Sequence, residues 1–133
     1  MFSKSAIKGK INRSGINFKN TFLWENRPEE YIDDTALKLL LKDDETILIC
    51  YIGKDNYRWI LTDQRLFISS YFNNILLKDI IEIDFQDLKE KPENKMINNN
   101  LTILTKENKY TLYLEENTWT LFYDIFNFIL KNQ

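Results

Sequence analysis

The sequence predicts one domain of the mainly β (α+β) class, in which an antiparallel sheet is covered by a carboxy-terminal helix. From about residue 45 to residue 115, short runs of β-branched and aromatic residues alternate with polar gaps. The last segment, "NTWTLFYDIFNFILKN", instead has helical periodicity. A chain of 133 residues has the length of a single domain.

The composition supports a packed interior. Hydrophobic residues make up 44% of the chain and aromatic residues 14%, which argues against extensive disorder. No apolar run approaches the roughly 20 residues that cross a bilayer. The one cysteine, Cys50, lies within an apolar strand pattern, so we expect a small buried hydrophobe and no disulfide framework. With no secretory signal pattern at the amino end, a cytoplasmic location is expected.

Charge is distributed unevenly along the chain. Five of the 18 basic residues, and none of the 20 acidic ones, lie in residues 1–24, which we call the leader. The rest of the chain, residues 25–133, is acidic and is expected to form the folded domain. Because nucleic-acid binding requires neutralisation of phosphates, no nucleic acid is expected as a partner. Gly9 and Gly15 weaken any helix in the leader, which is expected to be a solvated, flexible tail.

A helix is predicted over about residues 28–41. Pro28 suits the first helical position, and Glu29 and Glu30 follow in the first turn, where the helix dipole favours acids. The expected buried stripe consists of Ile32, Ala36, Leu39 and Leu40.

Three strands are predicted next. "ETILICYIG" is apolar on both faces, as in a central strand, and "YRWILT" and "RLFISSYF" are two further short runs. The polar interruption "LTDQRL" between them predicts a tight turn over residues 62–65, in which Asp63 bonds the turning backbone. The flanking strands should therefore pair antiparallel.

The segment "LKDIIEIDFQ" alternates as a half-buried strand does. Ile81, Ile83 and Phe85 should share one face, with Glu82 and Asp84 on the other. The charged stretch "LKEKPENKMINNN" that follows is expected to be a long exposed loop.

A final hairpin is predicted in "NLTILTKENKYTLYLEE". Leu101 and Ile103 should lie opposite Tyr110, Leu112 and Leu114, across a Lys-Glu-Asn-Lys turn.

The carboxy-terminal helix is predicted over about residues 118–131. Its polar residues recur at spacings of four, three and four and so share one stripe: Thr120, Asp124, Asn127 and Lys131. The opposite face is centred on Trp119, Phe122, Phe126 and Ile129. Leu121, Ile125 and Phe128 widen this face beyond what one sheet covers. Either the leader or first helix covers this flank, or it is an interface for a second chain.

The order of these segments resembles that of the bacterial pleckstrin-homology-like (PH-like) domains, which are relatives in fold of eukaryotic PH and GRAM domains. The similarity covers about residues 36–131 and includes "DDETIL", "ILTDQRLFI" and "LLKDIIEIDF". Thr62 and Arg65, followed by Leu66 and Phe67, match the family's second hairpin. The resemblance implies a strongly bent antiparallel sheet, a partly open barrel of about seven strands with the helix at one end. Thr62 and Arg65 are expected to be structural, with the arginine head on a carboxylate or carbonyl.

Few residues suggest catalysis. The chain contains no histidine, which removes the imidazole base, the Ser-His and Cys-His pairs and the common zinc sites. The carboxylate pairs lie beside helix ends or strand starts, where acids cap or solvate: Asp33/Asp34, Asp43/Asp44 and Glu115/Glu116. We therefore predict no enzyme, no metal and no cofactor, and the sequence identifies no small-molecule substrate. An enzyme with a ligand pocket within the curved sheet is the least favoured alternative.

A partial anion signature lies in "YIGKDNYRWIL". Lys54 and Arg58 match part of the basic pattern of phosphoinositide-binding PH domains, but Asp55 intervenes and Ile60 occupies the place of the terminal arginine. Lys54 and Arg58 are therefore only a weak candidate contact for an anionic lipid.

The leading functional prediction is a noncatalytic interaction module. It would bind a protein partner, or form a homo-oligomer, through the flank of Leu121, Ile125 and Phe128 or through an exposed sheet edge. One alternative is peripheral binding to an anionic membrane through the basic leader with Lys54 and Arg58. Another is a toxin-neutralising immunity protein, because an acidic surface can mask a basic active site.

Overall fold

The helices and strands are taken from a computed structural model that describes residues 2–28, 34–53, 55, 57–69, 73–84 and 100–133, with residues 34–36 described by backbone alone. The helices are α1 (Lys4–Arg13), α2 (Asp34–Leu40) and α3 (Trp119–Lys131). The strands are β1 (Thr21–Leu23), β2 (Ile47–Ile52), β3 (Arg58–Thr62), β4 (Arg65–Ile68), β5 (Asn74–Leu76), β6 (Ile80–Asp84), β7 (Asn100–Thr105) and β8 (Lys109–Tyr113).

The described strands form two antiparallel sheets. One has five strands in the order β1-β2-β3-β4-β5, and the other has three in the order β6-β7-β8. The predicted α+β class, with antiparallel pairing and a terminal helix, is confirmed. The strands of the described ranges do not close into a barrel, and β1, which comes from the leader, was not predicted.

Helix α3 covers the main core, as its periodicity predicts. Its buried residues are Trp119, Phe122, Ile125, Phe126 and Ile129. The Phe122 ring meets the Trp59 ring of β3 edge to face, with 5.1 Å between centroids. None of the described helices is both long and apolar enough to cross a membrane.

The side chains of Trp59 in β3 and of Tyr57, which precedes β3, bind the free edge of the second sheet. The Trp59 indole N–H donates to the Tyr113 carbonyl at 3.0 Å, and the Tyr113 amide N–H donates to the Tyr57 hydroxyl at 3.0 Å. Tyr113 ends β8, whose outer edge faces no further strand in the described part of the chain. The two bonds therefore satisfy both edge groups of Tyr113 and join the sheets.

The leader is not the flexible tail that its glycines suggested, and that prediction is wrong. Ser3 caps α1 by accepting the Ala6 amide N–H at 3.2 Å. Ile7 and Ile11, one turn apart, are buried in the main core. After the helix, Gly15 adopts a φ of 73°, a left-handed conformation that ends helices. Burial of the Ile7 and Ile11 side chains compensates for the poor propensity of Gly9.

Three leader lysines face carboxylates elsewhere in the fold. The Lys10 amine lies 2.9 Å from Asp124 on α3, the Lys8 amine 3.4 Å from Glu25, and the Lys4 amine 3.8 Å from Asp63. Each pair is partly solvent-exposed and contributes little stability alone. Together, the three pairs nevertheless reduce the positive charge that the leader presents to a partner.

We expect Ile7→Ala to lower the free energy of unfolding by about 2 to 5 kcal/mol, because it opens a cavity under α1. Asn12→Ala, at an exposed position of the same helix, should change it by less than about 0.5 kcal/mol. Urea unfolding of both variants checks this. Equal stability of the two would contradict the docking of the leader.

Helix α2 differs from the prediction for residues 28–41. Pro28 is not helical, and α2 is described from Asp34; residues 29–33, including Ile32, lie outside the described residues. The expected stripe is also wrong, because Leu37 is fully buried while Leu39 is 83% exposed. Leu37 covers a second cluster on the outer face of the five-stranded sheet, formed with Ile47, Cys50, Ile60 and Phe67.

A bulge in β6 changes which of its residues face the core. The pairing with β7 shifts register between Ile80 and Glu82. Ile80 and Ile83 are consequently buried, and Ile81, expected inside, is 66% exposed. Phe85 and most of the predicted charged loop lie outside the described residues.

The last hairpin has the predicted register. Leu101 lies opposite Leu112, and Ile103 lies opposite Tyr110.

Candidate functional site

The "LTDQRL" turn is a structural latch formed by Glu45, Thr62 and Arg65. The Thr62 hydroxyl accepts the Arg65 amide N–H at 2.8 Å and donates to the Glu45 carboxylate at 2.6 Å. The Arg65 guanidinium binds both Glu45 oxygens, at 2.6 and 3.0 Å, and the Leu40 carbonyl at 2.9 Å. The structural role predicted for Thr62 and Arg65 is confirmed, since these bonds tie the turn to the end of α2.

Electrostatics keep the latch ionised. Burial by itself would raise the pKa of Glu45, whose side chain is fully buried. Hydrogen bonds from Arg65, Thr62 and the Lys42 amide, with the charge of Arg65, outweigh burial and hold that pKa below its ordinary value.

The prediction that Asp63 bonds the backbone of the turn is wrong. Its carboxylate accepts the Thr46 amide N–H at 2.9 Å, and so binds the segment that leads into β2.

The predicted flank of α3 is largely occupied. Ile125 is fully buried, and Leu121 and Phe128 are partly buried against the main core. The Lys10 amine of α1 lies 5.1 Å from the centre of the Phe128 ring. The leader, one of the two covers considered for this flank, therefore contacts it.

Of the two residues predicted as a weak anion contact, Lys54 and Arg58, the structure describes only Arg58. Lys54 lies outside the described residues, and Arg58 is the half-buried first residue of β3. Opposite Arg58 in the sheet is Ile52, which supplies no further charge.

The one thiol is buried, as predicted. Burial raises the pKa of Cys50 to about 12, so the thiol is protonated at neutral pH. Within the described ranges, no three Cys, Asp or Glu side chains lie close enough together to hold a metal ion.

An open cleft of about 930 Å³ is lined by three tyrosines. Its walls come from three segments of the chain: the leader, the β2–β3 hairpin, and the end of β8 with the residues that follow it. The lining residues are Ile16, Asn17, Lys19 and Asn20; Tyr51, Gly53, Asp55 and Tyr57; and Tyr113, Leu114, Glu115, Glu116 and Asn117. We call it the tyrosine cleft. Chain folding alone assembles it, because these segments are far apart in sequence.

The rings of Tyr51, Tyr57 and Tyr113 stand at steep angles to one another. Tyr51 and Tyr57 have centroids 6.4 Å apart and planes at 64°, and Tyr57 and Tyr113 have centroids 5.5 Å apart and planes at 83°. Burial, its largest cause, raises the pKa of Tyr51, and the charge of Glu115 raises it further. Burial also raises the pKa of Tyr57. Both hydroxyls are therefore neutral donors.

Glu115 fastens the leader wall of the cleft. Its carboxylate accepts the Lys19 amide at 2.8 Å, the Asn20 amide at 2.7 Å and the Thr21 hydroxyl at 2.9 Å. Three donors on one carboxylate hold the segment before β1 against the end of β8. The Glu115/Glu116 pair was expected only to cap or solvate, and this long-range role of Glu115 was not anticipated.

The cleft also presents polar groups that no other group in the described residues engages. The Tyr51 hydroxyl has no hydrogen-bond partner there, and the exposed carboxylates of Asp55 and Glu116 have no ion-pair partner there. Asp55 and Asn117 both have left-handed backbones, with φ of 58° and 66°. Asp and Asn adopt this conformation more readily than most residues do, and it is typical of tight turns.

Sequence reasoning missed the tyrosine cleft as a site. Its one local signal is the pair of tyrosines, Tyr51 and Tyr57, in the "YIGKDNYRW" hairpin, where the sequence prediction concerned only the cations. No family model, curated protein or solved structure matches this chain.

Proposed function

We propose that the protein is a noncatalytic, PH-like interaction module that binds a protein partner in the tyrosine cleft. The single observation that carries this proposal is the convergence of three tyrosine rings on one open cavity of about 930 Å³. Tyrosine is enriched at protein interfaces because a large ring is buried there together with a hydroxyl that can bond. Tyr113 is 53% exposed and provides an accessible wall.

The inventory of reactive side chains supports a binding role over catalysis. The sequence contains no histidine, so no imidazole acts as a base. The Cys50 thiol is buried, and burial raises its pKa to about 12, which removes a thiolate nucleophile. The tyrosine hydroxyls of the cleft have raised pKa values and suit hydrogen bonding better than proton abstraction.

The arrangement of elements supports the PH-like part of the proposal. Strands β2–β5 and β6–β8 are seven antiparallel strands, followed by a helix that covers the core they share. The Thr62–Arg65 turn joins β3 and β4, which pair antiparallel, and the resemblance assigns this motif to the second hairpin of the family. In this scheme β1 is an addition at the edge of the five-stranded sheet.

Other surfaces have less support. The α3 flank is covered in part by α1, so a partner there would gain less apolar area. Membrane binding through the leader is weakened, since α1 buries its apolar face and three of its lysines face carboxylates. An immunity protein is one form of the proposed module and would be identified by its partner.

We expect Tyr113→Ser to reduce partner retention by about tenfold or more, because it removes an exposed aromatic ring at the centre of the interface. The immobilised protein is exposed to lysate of its source cells, and retained proteins are quantified by mass spectrometry. Ile81→Ser removes an apolar side chain that is 66% exposed on β6, outside the cleft, and should leave retention unchanged.

Two outcomes would contradict the assignment of partner binding to the tyrosine cleft. A partner retained equally by wild type and Tyr113→Ser would show that the cleft is not the interface. A partner lost only with Phe128→Asp, in a variant whose circular dichroism is unchanged, would assign binding to the α3 flank.

A further inference from the structure

We propose that the tyrosine cleft takes a cationic side chain, lysine or arginine, from an extended segment of the partner protein. This inference rests on the proposed function and specifies the chemistry of its ligand. Two observations carry it: the arrangement of the rings and the sign of the charge around them.

The rings provide the first argument. Tyr51, Tyr57 and Tyr113 line the same cavity with planes at 64° and 83° to their neighbours, so they act as differently oriented walls. The face of an aromatic ring is the negative part of its quadrupole, so a cation that lies over the face of one of these tyrosines is attracted to it. A flat apolar ligand would instead favour parallel rings between which it could stack.

The charges provide the second argument. The cleft is lined by three carboxylates, those of Asp55, Glu115 and Glu116, and by one described cation, Lys19. Glu115 accepts three hydrogen bonds from the leader but keeps its negative charge. The side chains of Asp55 and Glu116 are exposed at the cleft, and neither forms an ion pair with another described residue. Such a site attracts lysine or arginine and repels phosphate and carboxylate ligands.

The size of the cleft favours a peptide segment over a free ion. A volume of about 930 Å³ lies at the upper end of the range for small-molecule sites and exceeds one lysine or arginine side chain. Tyr51 lines the cleft, and its neutral hydroxyl would donate a hydrogen bond to a backbone carbonyl of the segment. One cationic side chain would then lie against the rings, with its flanking residues along the leader wall.

The test is an NMR titration of the ¹⁵N-labelled full chain with two short peptides. The probe is acetyl-Gly-Lys-Gly-Arg-Gly-amide, and the reference peptide carries glutamine at both cationic positions. We expect saturable shifts at Gly53, Asp55 and Glu116 with the cationic peptide, and affinity at least about tenfold lower for the glutamine peptide. Higher salt should weaken the cationic peptide's binding.

Matched variants measure the contribution of the rings to binding separately from that of the carboxylates. Tyr51→Leu should weaken binding about two- to fivefold, while Tyr51→Phe retains a ring and should lose less. Glu116→Gln should weaken binding by a similar factor. Glu107→Gln removes the same charge from the exposed β7–β8 turn, outside the cleft, and should have no effect. Equal effects of Glu116→Gln and Glu107→Gln would overturn the electrostatic argument.

Three results would overturn the inference as a whole. Equal affinity for the two peptides would make the cleft an apolar groove, and partner retention that depends on Tyr113 would then still support the proposed function. Shifts at these residues with sodium phosphate but not with the cationic peptide would make it an anion site. The same shifts on raising the protein concentration alone would assign the cleft to a second copy of the chain.

Discussion

Arg65→Met is expected to destabilise the protein by about 3 to 5 kcal/mol, because it leaves the carboxylate of Glu45 buried without its countercharge. The Glu45 side chain is fully buried and that of Arg65 is 13% exposed, so water does not replace the lost bonds. Urea unfolding at neutral pH measures the change. A loss below about 1 kcal/mol would show that the latch behaves as an ordinary surface ion pair.

Two comparisons isolate the latch. The double variant Glu45→Gln with Arg65→Met should lose less stability than the sum of the single variants, because it leaves no buried charge unpaired. Lys8→Met breaks an exposed pair with Glu25 and should cost about 1 kcal/mol or less.

The latch also predicts a dependence on pH. Because the folded state holds the pKa of Glu45 below the ordinary value of 4.5, ionised Glu45 contributes its full stability above pH 4.5. This contribution is lost as the pH falls below 4.5 through the folded pKa. Glu45→Gln should lack this part of the pH dependence, which unfolding midpoints between neutral pH and about pH 3 would reveal. A variant that parallels the wild type throughout would contradict the assignment.

Trp59→Ala is expected to lower the free energy of unfolding by about 3 to 5 kcal/mol, a loss comparable to that of the latch. Trp59 is fully buried, packs edge to face on Phe122 of α3 and donates to the Tyr113 carbonyl of β8. The substitution therefore removes a contact to the helix and one of the two side-chain bonds between the sheets. Urea unfolding checks the size of the loss.

A milder substitution separates packing from bonding. Trp59→Phe keeps an aromatic ring against Phe122 but removes the N–H, so we expect a loss of about 1 to 3 kcal/mol. Amide hydrogen exchange in β8 should also become faster, because its edge is less firmly held. Unchanged exchange in β8 would show that the Trp59–Tyr113 bond does not join the sheets.

The elements predicted correctly are those with a local signal. The spacing of polar residues on α3 indicated which face is buried, and Trp119, Phe122, Phe126 and Ile129 are indeed inside. The turn at Thr62–Arg65 and the register of the β7–β8 hairpin also followed from neighbouring residues. These features depend on contacts within a few residues or between adjacent strands.

The errors occurred where distant residues decide the structure. Ile81 faces outward because a bulge shifts the pairing of β6 with β7, and alternation in β6 alone does not reveal it. The leader is helical because Ile7 and Ile11 fill a core made by later elements, which outweighs the low propensity of Gly9.

The candidate site was harder still to predict. Tyr51 and Tyr57 flank one hairpin, but Tyr113 and Glu115 come more than fifty residues later and the leader wall more than thirty residues earlier. No periodicity links residues at such separations.

The sequence by itself determined the α+β class, the antiparallel hairpins, the terminal helix and the absence of histidine chemistry. Each of these depends on residue type or on short-range spacing, which the chain carries whatever its overall fold. Only the tertiary structure decided the division into two sheets, the docking of the leader and the assembly of the tyrosine cleft. The physical reason is that side chains far apart in sequence meet only when burial of the shared core fixes their positions, and each of these three features consists of such meetings.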